Sequence, residues 1–103
     1  MNTGSEVVIL FSARMGQSTI DGDKIATTRR SRKGEPGDRF EVWGRWFHLI
    51  DVVPVALAEV RDRFWRLEGC ESPQDFEQVW RRLHNGEWTE DGPHYTHFYT
   101  RVK

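Results

Sequence analysis

The sequence predicts a small α+β (mixed α/β) domain in which about five strands form a barrel and about three helices lie against one side of it. Several strand-like segments follow one another at short spacing, which favours a barrel over alternating strand and helix units. Two later segments repeat apolar residues at helical spacing, and the last segment alternates threonine with aromatic residues. The 103 residues are expected to form one domain, 1–103, with a modest single core.

The first third of the chain is predicted to hold a strand, a short helix and a second strand. Residues 7–11 form a continuous apolar run, as in a strand that is buried on both faces. Ser12 can cap a weak helix that ends at Gly22, because serine accepts hydrogen bonds from a first helical turn and glycine tolerates the left-handed conformation that ends helices. The second strand is predicted from about Lys24 to Arg30.

Two more strands are predicted beyond a loop. Residues 31–38 contain two glycines and a proline, which is typical of a loop. Residues 39–43 alternate polar and apolar side chains, as expected of a half-buried strand, and Gly44 and Arg45 indicate a tight turn. Residues 46–53 predict the following strand, and Pro54 indicates a sheet edge or a bulge near its end.

Two amphipathic helices and a final strand complete the predicted fold. The first helix ends at Gly69, and its apolar stripe is Leu57, Val60, Phe64 and Leu67. The second begins at the cap Ser72, ends at residues 85–86, and has the stripe Phe76, Val79, Trp80 and Leu83. Residues 94–102 predict the last strand, whose aromatic side chains suit an edge that pairs with a neighbouring molecule. The sequence does not fix the oligomeric state.

Composition excludes several classes of protein. The formal net charge is -1, so contact with nucleic acid requires a local basic patch and not a global field. The single cysteine, Cys70, cannot form an internal disulfide, which suits a reducing compartment. No apolar run approaches the length of a membrane span, and the first six residues lack the pattern of a signal peptide. We therefore expect a cytoplasmic protein with no membrane partner.

A lysine, a threonine and an arginine lie close together in residues 22–29 (GDKIATTR), directly after the predicted helix. Thr27 and Arg29 are two residues apart, so they share one face of a strand. Lys24 precedes Thr27 by three residues, and strict alternation would send it to the other face. Lys24 can join the other two only if it lies in the turn ahead of the regular strand.

The pattern Gly-x-Lys-x-x-Thr-x-Arg resembles the signature of ASCH domains, which are small β-barrels related to the PUA RNA-binding fold. Gly22, Lys24, Thr27 and Arg29 fit this pattern in place. Three further landmarks of the family follow in order: Gly37-Asp38, then Glu68-Gly69, then Ser72, Phe76 and Trp80 on a helix. The resemblance extends from about Val7 to the end of the chain and implies a PUA-like β-barrel with flanking helices.

The resemblance also implies an activity. Some small single-domain members of the family are amidohydrolases of N4-acetylcytidine that use a lysine and a threonine of this motif and a later glutamate. Carried over to this chain, Thr27 would be the nucleophile or would orient water, Lys24 would activate it, Glu68 would be the acid/base and Arg29 would order the site. The chemistry is reasonable, because a threonine hydroxyl needs a neighbouring base and burial lowers the pKa of a lysine. The acyl group, and whether the substrate is a nucleoside or an RNA, stay open.

A binding module is the alternative hypothesis. Arg29, Arg30, Arg32 and Lys33 place four positive charges within five positions, which would attract phosphate and steer single-stranded RNA. A PUA-like domain would then hold RNA without turnover, and a ribonuclease is a third possibility. Arg30 also stands where some amidohydrolase members have an acidic residue, which favours a ligand that bears phosphate. The structural alternative for Lys24 and Glu68 is a simple ion pair.

The remaining reactive side chains predict neither a metal site nor a cofactor. His94 and His97 are spaced to point to opposite faces of a strand, and no cysteine pair supports them or His84. The five tryptophans are divided by their positions: Trp65 and Trp80 are expected in the core, and one of Trp43, Trp46 and Trp88 is a candidate for stacking on a nucleobase. A closed pocket sized for one nucleoside, in which Lys24, Thr27 and Glu68 converge within hydrogen-bond reach, would favour the amidohydrolase. An open basic groove that leads away from the motif would favour RNA binding.

Overall fold

A computed structural model of the chain describes residues 4–103 and shows four strands and three helical segments. In chain order these are α1 Ala13–Asp21, β1 Ala26–Arg29, β2 Arg39–Val42, β3 Arg45–Pro54, α2 Leu57–Glu59 with a π-helical continuation over Val60–Phe64, α3 Pro73–Leu83 and β4 Tyr95–Arg101. The prediction about a signal peptide falls in part on residues 1–3, which lie outside the described residues. No helix within residues 4–103 is both long and apolar enough to cross a bilayer.

The strands form one curled antiparallel sheet, a half-barrel, in the order β1-β4-β3-β2. The last strand, β4, therefore lies between β1 and β3, and the expectation that it forms a sheet edge is wrong. Its aromatic side chains instead pack within the molecule, as Tyr99 does against Phe40 and Phe47. Pro54 does lie where the sheet narrows, since β2 pairs only with residues 45–48 of β3. The bulge in β3 lies between Leu49 and Asp51, away from Pro54.

The strand predicted at residues 7–11 is not formed, and this accounts for four strands where about five were expected. Glu6 bridges to Arg39, and the Val7 N–H donates to the Arg39 carbonyl at 2.8 Å, after which the pairing with β2 ends. Ile9 is buried in the core, whereas Val8 and Leu10 are 75% and 76% exposed. The apolar run is thus only half-buried, because the segment leaves the sheet to reach the start of α1.

The predicted ends of α1 and the predicted start of α3 are confirmed, whereas α3 ends at Leu83, just before the predicted stop at residues 85–86. The Ser12 hydroxyl accepts a hydrogen bond from the Met15 N–H, and Gly22 ends α1 with φ +87°. Ser72 caps α3 in the same way by accepting from the Asp75 N–H at 3.0 Å. These short local interactions fix where each helix begins and ends.

The helix predicted over residues 57–69 is present but changes geometry along its length. It begins with an α-helical turn, widens to a π-helical turn over Val60–Phe64 and ends in turns before Gly69, which has φ +83°. Leu57 and Val60 of its predicted stripe are fully buried. The widened turn brings the end of this segment against the start of β1, where the Ile25 N–H and the Ala26 N–H donate to the Leu67 carbonyl.

The buried side chains form two clusters. One covers the inner face of the sheet and contains Ile9, Phe40, Val42, Phe47, Leu49, Val52 and Tyr99. The other lies among the helices and contains Met15, Leu57, Val60, Cys70, Phe76 and Trp80, with Trp65 and Trp88 packed against it. Trp80 is therefore in the core as predicted, and Trp65 is half-buried beside it. Phe11 packs against both clusters and joins the sheet to the helices.

Candidate active-site cavity

The motif lysine lies in the connection between α1 and β1. The Asp23 N–H and the Lys24 N–H both donate to the Ser18 carbonyl, so the chain turns tightly at the end of α1. The regular strand begins only at Ala26. Lys24 therefore stands ahead of the strand, as the sequence required if it was to reach the same site as the strand residues.

Lys24 and Glu68 form a buried ion pair. The Lys24 ammonium donates to Glu68 Oε1 at 3.1 Å and to the Glu68 carbonyl at 2.9 Å, and the two side chains are 4% and 5% exposed. Gly69 makes this approach possible, because a Cβ there would lie 2.9 Å from the Lys24 Cβ and 2.6 Å from the Ser18 hydroxyl. The left-handed turn at Gly69 thus presents Glu68 to the lysine.

Burial changes the proton affinity of the lysine. Desolvation lowers the pKa of Lys24 below its ordinary value, and the attraction of the Glu68 carboxylate acts in the opposite direction without cancelling it. A lysine with a lowered pKa gives up its proton more readily than an exposed one. Lys24 can therefore serve as a base once its proton has moved to Glu68.

Thr28 supplies the hydroxyl that binds Glu68. Its Oγ1 donates to Glu68 Oε2 at 2.7 Å and lies 2.7 Å from the Thr96 Oγ1 on β4. Since the single proton of Thr28 goes to the carboxylate, Thr96 is the donor in the second hydrogen bond. Both oxygens of Glu68 are thus bound, one by Lys24 and the other by Thr28.

Thr27 and Arg29 make a separate pair, as expected from their shared face. The Arg29 Nε donates to Thr27 Oγ1 at 3.2 Å, and its Nη2 donates to the Leu10 carbonyl at 2.7 Å. The guanidinium also lies over the Phe11 ring, 5.2 Å from its centroid. Arg29 therefore holds the Thr27 hydroxyl oxygen as an acceptor and leaves the hydroxyl proton available.

The cluster around Glu68 and the Thr27–Arg29 pair line the same cavity, which has a volume of about 350 Å³. Lys24, Thr27, Thr28, Arg29 and Glu68 form its polar side. The apolar side comes from the segment before α1, from α1 and from α3, and includes Leu10, Phe11, Met15, Phe76, Val79, Trp80 and Leu83. The volume lies in the range of small-molecule sites, about 300–1,000 Å³. All three residues predicted to be catalytic line this cavity.

Trp80 brings an unsatisfied hydrogen-bond donor to the cavity wall. Its Nε1 is buried and has no hydrogen-bond partner within residues 4–103. The indole ring stacks on His84 with centroids 4.1 Å apart, so one of its faces is already covered. A buried donor without a partner costs free energy.

Cys70 also lines the cavity, but its chemistry differs from that of a nucleophile. Burial raises the pKa of the Cys70 thiol to about 11. The thiol is therefore protonated at neutral pH, whereas attack requires the thiolate. Cys70 contributes to packing in the helical cluster.

The four residues of the predicted basic patch make different contacts and do not form one free positive surface. Arg29 turns inward to the cavity, Arg30 lies 3.7 Å from a Glu87 carboxylate oxygen, and Arg32 binds Glu35 through two hydrogen bonds. Lys33 is exposed, and its backbone N–H donates to His97 Nε2 at 2.9 Å. Carboxylates thus neutralise two of the four charges, and a third lines the cavity.

The three histidines occupy separate positions. His97 is fully buried, with Nε2 accepting from the Lys33 N–H and Nδ1 lying 3.2 Å from the Thr27 carbonyl. This arrangement fixes the neutral tautomer that carries its proton on Nδ1. His94 packs edge-on against Trp80, and His84 stacks on the same ring. No group of three potential metal ligands is found among the described residues.

Sequence reasoning singled out neither Thr28 nor the free donor of Trp80. Thr28 directly follows Thr27, and only the register of β1 against β4 shows that it lies beside Glu68. Trp80 was identified as a core residue, which is correct, but its position at a cavity wall depends on how α3 packs. No local pattern in the sequence carries either fact.

Comparison with known proteins gives a fold and no closer relationship. No family model matches the sequence, and no curated protein matches it significantly. An ASCH domain from Lactobacillus crispatus matches with a TM-score of 0.69 and 15% identity over 96% of this chain and 80% of that one. A mutant ASCH protein from Zymomonas mobilis matches with a TM-score of 0.67 and 16% identity over 100% of this chain and 71% of that one.

An Enterococcus faecalis protein assigned to DUF984 is also similar, with a TM-score of 0.63 and 14% identity over 99% of this chain and 82% of that one. The matched regions include nearly all of the present chain in each case. At such low identity the likeness establishes the fold and leaves the activity open. The protein therefore has the small α+β fold found in ASCH domains.

Proposed function

We propose that the protein hydrolyses the amide bond of an N4-acylated cytidine nucleoside. The supporting observation is the buried Lys24–Glu68 pair on the polar side of a cavity that has the volume of a small-molecule site. A buried lysine in such a position is a candidate for acid–base chemistry, because desolvation lowers the pKa of Lys24. The fold alone would not support this proposal, since one fold carries many activities.

The ion pair can provide a base and an acid in one step. Transfer of a proton from Lys24 Nζ to Glu68 Oε1 along their 3.1 Å hydrogen bond gives a neutral amine and a neutral carboxylic acid. Burial assists this transfer, because desolvation lowers the pKa of Lys24. The amine can then accept a proton from the nucleophile, and the carboxylic acid can donate one to the leaving nitrogen.

The proposed reaction breaks the bond between the acyl carbon and N4. The oxygen of Thr27, or of a water that Thr27 orients, bonds to the acyl carbon while Lys24 takes its proton. The carbon–nitrogen bond then breaks, and Glu68 gives its proton to N4. The products are the cytidine and the carboxylic acid, which water releases from Thr27 if the hydroxyl is the nucleophile. Arg29 orders Thr27 through the hydrogen bond to its oxygen.

The apolar side of the cavity suits the rest of such a substrate. A pyrimidine ring and a short acyl chain both present apolar surface to Phe11, Met15 and Val79.

The geometry favours this hydrolase over the RNA-binding module and the ribonuclease. An RNA-binding groove beside the motif needs free cations, whereas Arg30 and Arg32 are held by Glu87 and Glu35. The motif residues instead line a cavity that also has an extensive apolar side. This difference supports a small ligand over a polynucleotide at this place.

Hydrolysis of N4-acetylcytidine, followed by ultraviolet absorbance, tests the proposal. We expect turnover by the wild type and a loss of about a hundredfold or more in Lys24→Ala, Thr27→Ala and Glu68→Ala. The matched controls Lys33→Ala, Thr89→Ala and Glu90→Ala change the same residue types at exposed positions and should keep full activity. A folded wild type without turnover would overturn the nucleoside amidohydrolase.

A further inference from the structure

We propose that the protein binds a single strand of nucleic acid at a second site, a basic cleft at one end of the sheet. Phosphates would lie against Arg45, Arg101 and Lys103, and one base would stack on Trp46. This cleft shares no lining residue with the cavity that contains Lys24 and Glu68. The proposal therefore stands apart from the hydrolase.

The cleft is built where three strands begin or end. Its volume is about 370 Å³, and its residues are Arg39 at the start of β2, Gly44 in the β2–β3 turn, Arg45 and Trp46 at the start of β3, and residues 101–103 at the end of β4. The Val102 N–H donates to the Trp46 carbonyl at 2.9 Å and holds the last residues against β3. The sheet therefore fixes the relative positions of the cations.

Three of the four cations of the cleft have no carboxylate partner among the described residues, unlike most other cations of the molecule. Arg14, Lys24, Arg30, Arg32, Arg61, Arg63 and Arg81 each form an ion pair with a carboxylate. Arg45, Arg101 and Lys103 have no carboxylate within 4.0 Å among the described residues, and Arg39 reaches Glu6 only at 4.0 Å. Within residues 4–103, no acidic residue lines the cleft. Positive potential is thus concentrated here in a chain whose net charge is -1.

Trp46 gives the cleft a surface on which a base can stack. Its side chain is 37% exposed although tryptophan is usually buried, and the Arg39 guanidinium lies 5.9 Å from the ring centroid. An exposed indole beside several cations is the combination that single-strand binders use, since the ring stacks on a base and the cations contact the backbone.

A single strand fits these features better than a duplex or a free nucleotide. The bases of a duplex are stacked on one another and cannot reach the face of Trp46 without being flipped out. A free mononucleotide brings one phosphate to a cleft with four cations, so most of the electrostatic attraction would be lost. Successive phosphates of a strand would use Arg45, Arg101 and Lys103 together.

Fluorescence anisotropy with a labelled single-stranded RNA of about ten nucleotides, titrated at several KCl concentrations, tests the proposal. Each phosphate contact on a single strand contributes about 0.7 to the slope of log K against log salt, so Arg45→Gln with Arg101→Gln should reduce that slope by about 1.4. Trp46→Ala should weaken binding about tenfold or more, and Trp46→Phe should restore most of it. Thermal unfolding checks that each variant remains folded.

A matched variant separates the cleft from the rest of the surface. Arg30→Gln with Arg32→Gln removes the same total charge from residues 29–33 and should leave both affinity and salt slope near the wild-type values. An equal effect of the two double variants would overturn the proposal, because binding would then follow net charge. Equal affinity for a duplex of the same sequence, or full competition by a free mononucleotide at the same concentration, would overturn it as well. Hydrolysis of N4-acetylcytidine should be unchanged in the cleft variants.

Discussion

Thr28 donates a 2.7 Å hydrogen bond to Glu68, so the hydroxyl that holds the carboxylate lies one residue beyond the motif threonine, Thr27. Thr27 instead accepts from Arg29 and keeps its own proton available. The two neighbouring hydroxyls therefore have different tasks in the proposed reaction: Thr28 positions Glu68, and Thr27 attacks the substrate or orients water.

Isosteric substitution separates these tasks. We expect Thr27→Val to lower kcat by about a hundredfold or more, because it removes the nucleophile or its water contact. Thr28→Val should lower kcat less but should cost about 1–3 kcal/mol of stability, since it leaves buried partners at Glu68 and Thr96 unsatisfied. Kinetics and urea unfolding of both variants check this. If Thr28→Val is the more damaging to kcat, the nucleophile has been assigned to the wrong hydroxyl.

Removal of Lys24 should strongly destabilise the fold. Lys24→Met leaves the Glu68 carboxylate buried without its counter-charge, and breaking a buried pair from one side costs about 3–5 kcal/mol. Lys24→Met combined with Glu68→Gln removes both charges and should recover a large part of this loss. Urea unfolding of the two variants measures the difference. A double variant no more stable than Lys24→Met would show that the pair does not behave as a buried charge pair.

Stability should fall as the pH is lowered from about 6.5, the ordinary pKa of histidine. Burial lowers the pKa values of His97 and His94 in the folded state, so the unfolded chain takes up protons first and is favoured as the pH falls. The stabilisation is fully present above pH 6.5 and is lost toward the folded-state pKa values. Each histidine contributes at most about 1.4 kcal/mol per pH unit.

Urea unfolding between about pH 7.5 and 5.5 measures this slope. His97→Gln keeps an acceptor for the Lys33 N–H but cannot titrate, so the slope should become shallower in the variant. An identical slope in the wild type and the variant would contradict the role of His97.

Two glycines with the same backbone conformation should respond differently to alanine. Gly22 and Gly69 have φ +87° and +83°, but a Cβ at Gly22 meets nothing within 4 Å, whereas one at Gly69 meets Ser18 and Lys24. Gly22→Ala should cost about 1–2 kcal/mol for the left-handed conformation alone and leave activity unchanged. Gly69→Ala should cost more and also lower kcat by displacing Lys24. Equal loss of stability and activity in both variants would contradict this role of Gly69.

The helix ends could be predicted from the sequence because their causes are local. Ser12, Ser72 and Gly22 act within a few residues of their own positions, so composition and spacing are sufficient to find them. The segment at residues 7–11 shows the opposite case. Its apolar run predicts a buried strand, but whether a strand forms depends on what β2 offers as a partner, and pairing stops after Val7.

The candidate site could be predicted only in part, because some of its contacts are local in sequence and others are not. The motif gives the residues of the polar side, since Lys24, Thr27 and Glu68 all reach the cavity. Arg30 pairs with Glu87, and Arg32 pairs with Glu35. Glu87 is far from Arg30 in the sequence, so no local spacing predicts that pair. Charge crowding in a sequence therefore does not tell whether the charges are free.

The central position of β4 determines when the sheet can close during synthesis of the chain. Within residues 4–103, β1, which carries Thr27 and Arg29, pairs only with β4, and β4 follows all the other strands and helices in chain order. Until residues 95–101 leave the ribosome, β1 has no strand partner, and the sheet consists of the β2–β3 pair alone. Such long-range pairing is slow and leaves strand edges unprotected. The site around Lys24 is thus finished only after β4 has been made, and a chain stalled before β4 would expose its apolar interior.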